Sequence, residues 1–178
     1  MTIIAMRNIF PSMKGLNPSL PDGLESAAVK TDLTEGEMRA WQGLLHAHQQ
    51  VVRALDAELR AEHGISMADY DVLLRLARAP HRTLRMTDLA RRVMLSPSGL
   101  TRAVDRLVAA GLVKRDRVEG DARGMIAHLT ESGRQLLRRA ARTHLRGIRE
   151  HFTARLTETQ LRNVASALEA ITGPHEPH

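Results

Sequence analysis

The sequence predicts a mainly α-helical fold that carries one small β-hairpin. Three observations lead there. Apolar residues recur at helical spacing over most of residues 34–172. Helix-start boxes, glycines and prolines cut that pattern into six helical segments. Between the fourth and fifth segments, over residues 112–129, the pattern turns to alternation with glycines at Gly120 and Gly124.

The first helix opens at Thr34-x-x-Glu37, a capping box, with Leu33 and Met38 placed to close a hydrophobic staple over it. Its apolar stripe is Trp41, Leu45, Val52, Leu55 and Leu59, widened by Leu44, Ala47 and Val51, and Gly64 stops it. Ser66 with Asp69 starts the second helix, stapled by Ile65 and Tyr70. Val72, Leu73, Leu76 and Ala77 form its buried face, and Pro80 ends it. A short third helix follows Thr87, with Leu89, Ala90 and Val93 inward.

Ser96 caps the fourth helix, and Pro97 takes the first helical position, where a missing N–H costs nothing. Leu100, Val104, Leu107 and Val108 form its inner stripe, and Gly111 ends it. The hairpin reads as Val113 to Val118, a turn bracketed by Gly120 and Gly124, and an extended Met125 to Leu129. Thr130 opens a long fifth helix to about Arg155. Thr157-x-x-Gln160 boxes the sixth, stapled by Leu156 and Leu161, with Leu161, Val164, Ala165, Leu168 and Ile171 apolar. Two short helices joined by a tight turn and followed by a hairpin make a winged helix-turn-helix, whose second short helix enters the DNA major groove.

Residues 1–31 carry Pro11, Pro18, Pro21, Gly15 and Gly23 without sustained periodicity and read as a flexible N-terminal tail, and residues 173–178, GPHEPH, read as a stop and a short C-terminal tail. The ordered domain is expected over 32–172. Within it, 66–129 is the DNA-binding lobe, and 34–63 and 130–172 are dimerisation helices.

Composition narrows the function. The 178 residues contain no cysteine, which excludes disulfides, thiolate metal sites and a cysteine nucleophile within this chain. The aromatics are Trp41, Tyr70, Phe10 and Phe152, too few for an RNA platform of stacked bases. No apolar run approaches the ~20 residues that span a bilayer, and the opening MTIIAMRNIF lacks a signal-peptide core, so a cytoplasmic location and no membrane partner are expected. No phosphate loop, dinucleotide fingerprint, zinc-protease helix or nucleophile elbow occurs, so no enzyme and no cofactor are expected. The nine histidines show no metal-ligand spacing, and no metal site is expected.

The net charge is +6. Its distribution matters more than its size. From Arg85 to Arg123 nine basic residues face five acidic ones, so most of the excess sits in the winged unit. With Leu100, Val104 and Leu107 inward, the fourth helix presents Ser98, Thr101, Arg102, Asp105 and Arg106 outward or at its edges. Hydroxyls and backbone N–H groups seat phosphates, and arginine reads guanine edges. On the hairpin, Asp121 can hold the guanidinium of Arg123 for entry into a minor groove. Ser96, Gly99, Arg85, Thr87 and Arg117 complete the expected DNA-binding set.

At this point a resemblance emerges. GISMADYDVLLRLA, MTDLARRVMLSPSGLTRAVDRLVAAGLVKR, EGDARG and LTESGRQLL resemble the MarR family of bacterial ligand-responsive regulators. The resemblance covers about residues 38–171 and is most specific over 86–136. It implies a winged-helix homodimer joined through its first and last helices, with Ser96 to Arg106 as recognition helix and Asp121-x-Arg123 as wing motif. Met94 stands where family members often carry glycine. An effector crevice between dimer helices and DNA-binding lobe is also implied, with Trp41, His48, Tyr70, Asp71 and Arg75 as candidate lining.

The residues independently point to a dimer. The long end helices carry apolar stripes that a small winged unit cannot cover, and a two-fold partner would match a pseudo-palindromic operator. Leu45, Val52, Leu156, Leu161, Val164 and Leu168 are the expected interface. The function expected is a sequence-specific DNA-binding regulator, a repressor released by a small molecule. The competing reading is an architectural DNA-binding protein without an effector.

Overall fold

The structure is a computed structural model. It describes residues 33–93, 95–118 and 121–173, and of residues 118 and 121–123 the backbone alone. The two tails (save Gly173), Met94 and the side chains of Asp121 and Arg123 therefore lie outside the described residues.

The element order is α1 (Glu35–His63), α2 (Met67–Arg78), a 3-10 turn (Pro80–Arg82), β1 (Thr83–Arg85), α3 (Met86–Arg92), α4 (Pro97–Ala109), β2 (Val113–Val118), β3 (Asp121–Leu129), α5 (Glu131–His151), a second 3-10 turn (Thr153–Arg155) and α6 (Glu158–Thr172). The chain divides into two compact units, Met1–Trp41 and Gln42–His178. The described part of the first is the start of α1. There Glu37 accepts from the Thr34 N–H and hydroxyl, and Thr34 Oγ1 accepts from the Glu37 N–H, as the capping box requires.

In the second unit, the caps read from the sequence form. Ser66 and Asp69 make a reciprocal box at α2, and Thr157 and Gln160 make one at α6. Ser96 caps α4 through the Gly99 N–H, and Thr130 caps α5 through the Gly133 N–H. Gly64 and Gly111 follow helix ends with φ near +69°, a left-handed conformation that glycine adopts without Cβ strain.

The core is the winged unit itself. Leu59, Val72, Leu73, Leu76, Leu89, Ala103, Val104 and Ala127 are fully buried, and Leu100, Leu107 and Val113 nearly so. The staple residues Ile65 and Tyr70 close over α2 and are buried too. α5 joins this core through Leu137 and Ala140. At its start, Gly133 packs against the end of α4: a Cβ there would lie 2.2 Å from the Leu112 carbonyl oxygen.

Four details differ from the sequence reading. The hairpin belongs to a three-stranded antiparallel sheet in the order β1-β3-β2. Thr83–Arg85 pairs with Ile126–His128, and three residues show no period of their own. β3 runs continuously from Asp121, so Gly124 lies in the strand rather than at a turn. α5 ends at His151, and Thr153–Arg155 is a separate 3-10 turn. Val108 is 37% exposed, while Ala103 takes the inward position on α4.

Candidate nucleic-acid interface

α4 is held against the body from beneath and left bare above. Leu100, Ala103, Val104 and Leu107 bury its lower face. Ser96, Ser98, Thr101, Arg102, Asp105 and Arg106 are exposed. The helix start is tightly organised. Ser96 Oγ accepts from the Gly99 N–H at 3.1 Å and lies 3.3 Å from Ser98 Oγ, while Thr101 Oγ1 donates to the Pro97 carbonyl. A Cβ on Gly99 would approach Ser96 Oγ to 3.1 Å, so glycine leaves the capping hydroxyl its room. Arg102 is exposed and, among the described residues, carries no ion pair.

The neighbouring arginines are placed differently. Arg106 sends Nη2 back to Asp69 Oδ1 at 2.7 Å, tying α4 to the capping box of α2. Arg115 on β2 pairs with Asp105 on α4 at 2.7 Å, tying the wing to the same helix. Across the sheet, His128 lies 2.9 Å from Thr83 Oγ1 and 3.4 Å from Asp116 Oδ2, joining all three strands. These ties hold α4 and the wing as one surface.

Between them is a cleft of about 450 Å³, lined by Arg85, Met86, Thr87, Thr101, Arg115, Gly124 and Met125. Arg85, Thr87 and Arg117 are exposed around this face. Its polar lining is cationic and hydroxylic, the chemistry that receives phosphate oxygens. The structure thus brings Arg85, Thr87, Thr101 and Arg115 together. Arg115 was not singled out from the sequence. Its basic side chain at the β2 position beside Asp116 gave no sign that it folds back onto the helix.

The residues expected to line an effector crevice divide between the two units. Trp41 is 53% exposed in the N-terminal unit. In the second unit His48 is exposed, while Asp71 and Arg75 form an i,i+4 ion pair at 3.1 Å on α2. Tyr70 is buried and stacks on His144 of α5, with ring centroids 4.5 Å apart. Burial pushes the Tyr70 hydroxyl up and the His144 imidazole down from their ordinary values, since each loses hydration of its charged form. His144, which the sequence reading left aside, is the partner of the expected Tyr70.

Of the expected interface residues, Leu45 is 47% and Leu168 37% exposed. Val52, Leu156, Leu161 and Val164 are half-buried, and α6 has no buried residue at all. Among the described residues, no helix is long and apolar enough to cross a membrane.

Known proteins share this architecture. A family model described as the MarR family matches residues 63–124. The transcriptional regulator PecS of Dickeya dadantii (strain 3937) is 30% identical over 128 residues, which cover 71% of this chain and 73% of that protein. Sco3205, a MarR-family regulator from Streptomyces coelicolor solved in complex with DNA, superposes with a TM-score of 0.71 at 33% identity, covering 82% of this chain and 92% of that one. AbsC, another from Streptomyces coelicolor, gives a TM-score of 0.70 at 34% identity, covering 79% and 95%. The cationic α4–wing surface and these likenesses converge: the chain belongs to the MarR family of DNA-binding transcriptional regulators, which are not enzymes.

Proposed function

We propose that this chain is a homodimeric repressor that binds a pseudo-palindromic operator and is released by a small-molecule effector. The observation that carries the DNA reading is the bare N-terminal face of α4 beside the cationic cleft. Ser98, Thr101 and Arg102 enter the major groove, with Arg102 reading a base edge. Ser96 and Gly99 place the helix start against a phosphate. Arg85, Thr87 and Arg117 hold the backbone on either side, and Arg123 takes the minor groove. Arg106 stands at the edge of this surface and keeps the helix in place through Asp69.

The dimer is supported by α6. None of its fifteen residues is fully buried within one chain: Leu161 and Val164 are only half-buried, and Leu168 and Ile171 are exposed. Leu45, Val52 and Leu156 extend the same unmet apolar demand, and a second copy meets it. The domain divides accordingly: 66–129 binds DNA, while 34–63 and 130–172 join the two chains. An effector acts by preferring a dimer geometry that does not fit two half-sites. Its candidate residues are His48, Tyr70, Asp71 and Arg75 in the second unit and Trp41 in the first. Such a regulator works in the cytoplasm.

The test is binding of the purified chain to its own upstream DNA and to a scrambled duplex at two salt concentrations, with the mass in solution measured alongside. A preference of roughly a thousandfold, by a species of two chains, supports the reading. Equal salt-sensitive binding to both duplexes favours an architectural role.

A further inference from the structure

A second polar centre lies away from the DNA-facing surface, where α1 meets the end of α5. Glu58 on α1 and Glu150 and His151 on α5 each offer one ligand atom, all within 4.8 Å of one another. His151 Nε2 is within hydrogen-bond reach of Glu58 Oε1. The other carboxylate oxygen, Glu58 Oε2, is buried and has no hydrogen-bond donor among the described residues. Arg146 Nη2 stays 3.9 Å from it, and makes its close contact with Glu62 Oε1 instead. The approach of Glu58 depends on a glycine. A Cβ on Gly147 would lie 2.8 Å from Glu58 Oε2 and 2.6 Å from Leu55 Cδ2.

A buried carboxylate oxygen with no donor is costly, and two carboxylates brought together repel. A dication held between Glu58 and Glu150 relieves that repulsion and compensates the charge of the Glu58 carboxylate. One imidazole nitrogen with two carboxylate oxygens suits a borderline divalent ion, which takes nitrogen and oxygen ligands at about 2.0–2.2 Å. Magnesium and calcium favour oxygen-only sets. Three protein ligands leave a further position for water. The sequence shows no such site because Glu58 and His151 stand 93 residues apart.

We propose that Glu58, Glu150 and His151 form a binding site for a divalent transition-metal cation that fastens α1 to the end of α5. The test is titration of the full chain, stripped by chelator, with zinc against a chromophoric competitor, together with thermal melting. One zinc per chain and a raised melting temperature are expected, with no comparable effect of magnesium. Glu150→Gln and His151→Ala should each weaken zinc by about tenfold or more, and His46→Ala should not. Glu150 is exposed, so Glu150→Gln should melt like the parent without metal. Absence of zinc binding, equal affinity in the parent and both site variants, or an equal shift by magnesium would overturn the proposal.

Discussion

Arg106 Nη2 donates to Asp69 Oδ1 at 2.7 Å, so the helix proposed to read DNA is fastened to the first turn of α2. Asp69 is buried and also accepts from the Ser66 N–H and hydroxyl, whereas the Arg106 side chain is 54% exposed. The two ends of this pair therefore carry unequal weight. Asp69→Ala removes the capping box as well as the pair and should cost about 1–2 kcal/mol. Arg106→Ala leaves the box intact, and solvent screens the lost pair, so about 1 kcal/mol or less is expected. Urea denaturation of both variants checks this; equal losses would contradict it.

Gly133 offers a sharper steric test. A Cβ there meets the Leu112 carbonyl oxygen at 2.2 Å and Leu129 Cδ1 at 2.7 Å, and a backbone oxygen cannot step aside. Gly133→Ala should lose about 1–3 kcal/mol by overpacking, despite the better helix propensity of alanine. A variant as stable as the parent in urea would show that α5 does not start against Leu112 as described.

Glu131 sets a pH dependence. Hydrogen bonds from Arg134 hold its carboxyl at about 2, well under its ordinary 4.5. A depressed folded-state value adds stability that is complete above the unfolded value and lost as pH falls through the folded one. The contribution of Glu131 should thus fade from about pH 4.5 to about pH 2. In Arg134→Ala the Glu131 titration, followed by carboxyl NMR, should move up toward 4.5. An unmoved midpoint would remove Arg134 as the cause.

Much of this architecture is legible in the sequence because capping is local. Ser66 and Asp69, Thr157 and Gln160, and Ser96 before Pro97 act within one turn, and the structure has each of them. What the sequence hides is long-range. β1 is a strand only because β3 lies beside it. The Asp69–Arg106 tie spans 37 residues, so Arg106 read as one more outward cation. The stripe on α1 shows that Trp41 and Leu45 are apolar neighbours in helical phase, but not what covers them; both remain about half exposed in one chain.

Arg102 and Arg123 should fail differently. Arg102→Ala should lose about 1–3 kcal/mol of discrimination at one base pair, with the preference relaxed there. Arg123→Ala, which removes a cation from the minor groove, should weaken binding broadly and make its salt dependence shallower. Competition binding against single-base variants at two salt concentrations separates them. An unchanged selectivity profile for Arg102→Ala would remove it from base reading.

The most direct measurement is a hydroxyl-radical footprint of the chain on its upstream DNA. The proposed two-fold dimer must present its two α4 helices about 34 Å apart, one turn of DNA. The account predicts two protected blocks related by symmetry and centred about 10 base pairs apart. A single block, or uniform protection along the duplex, would contradict it.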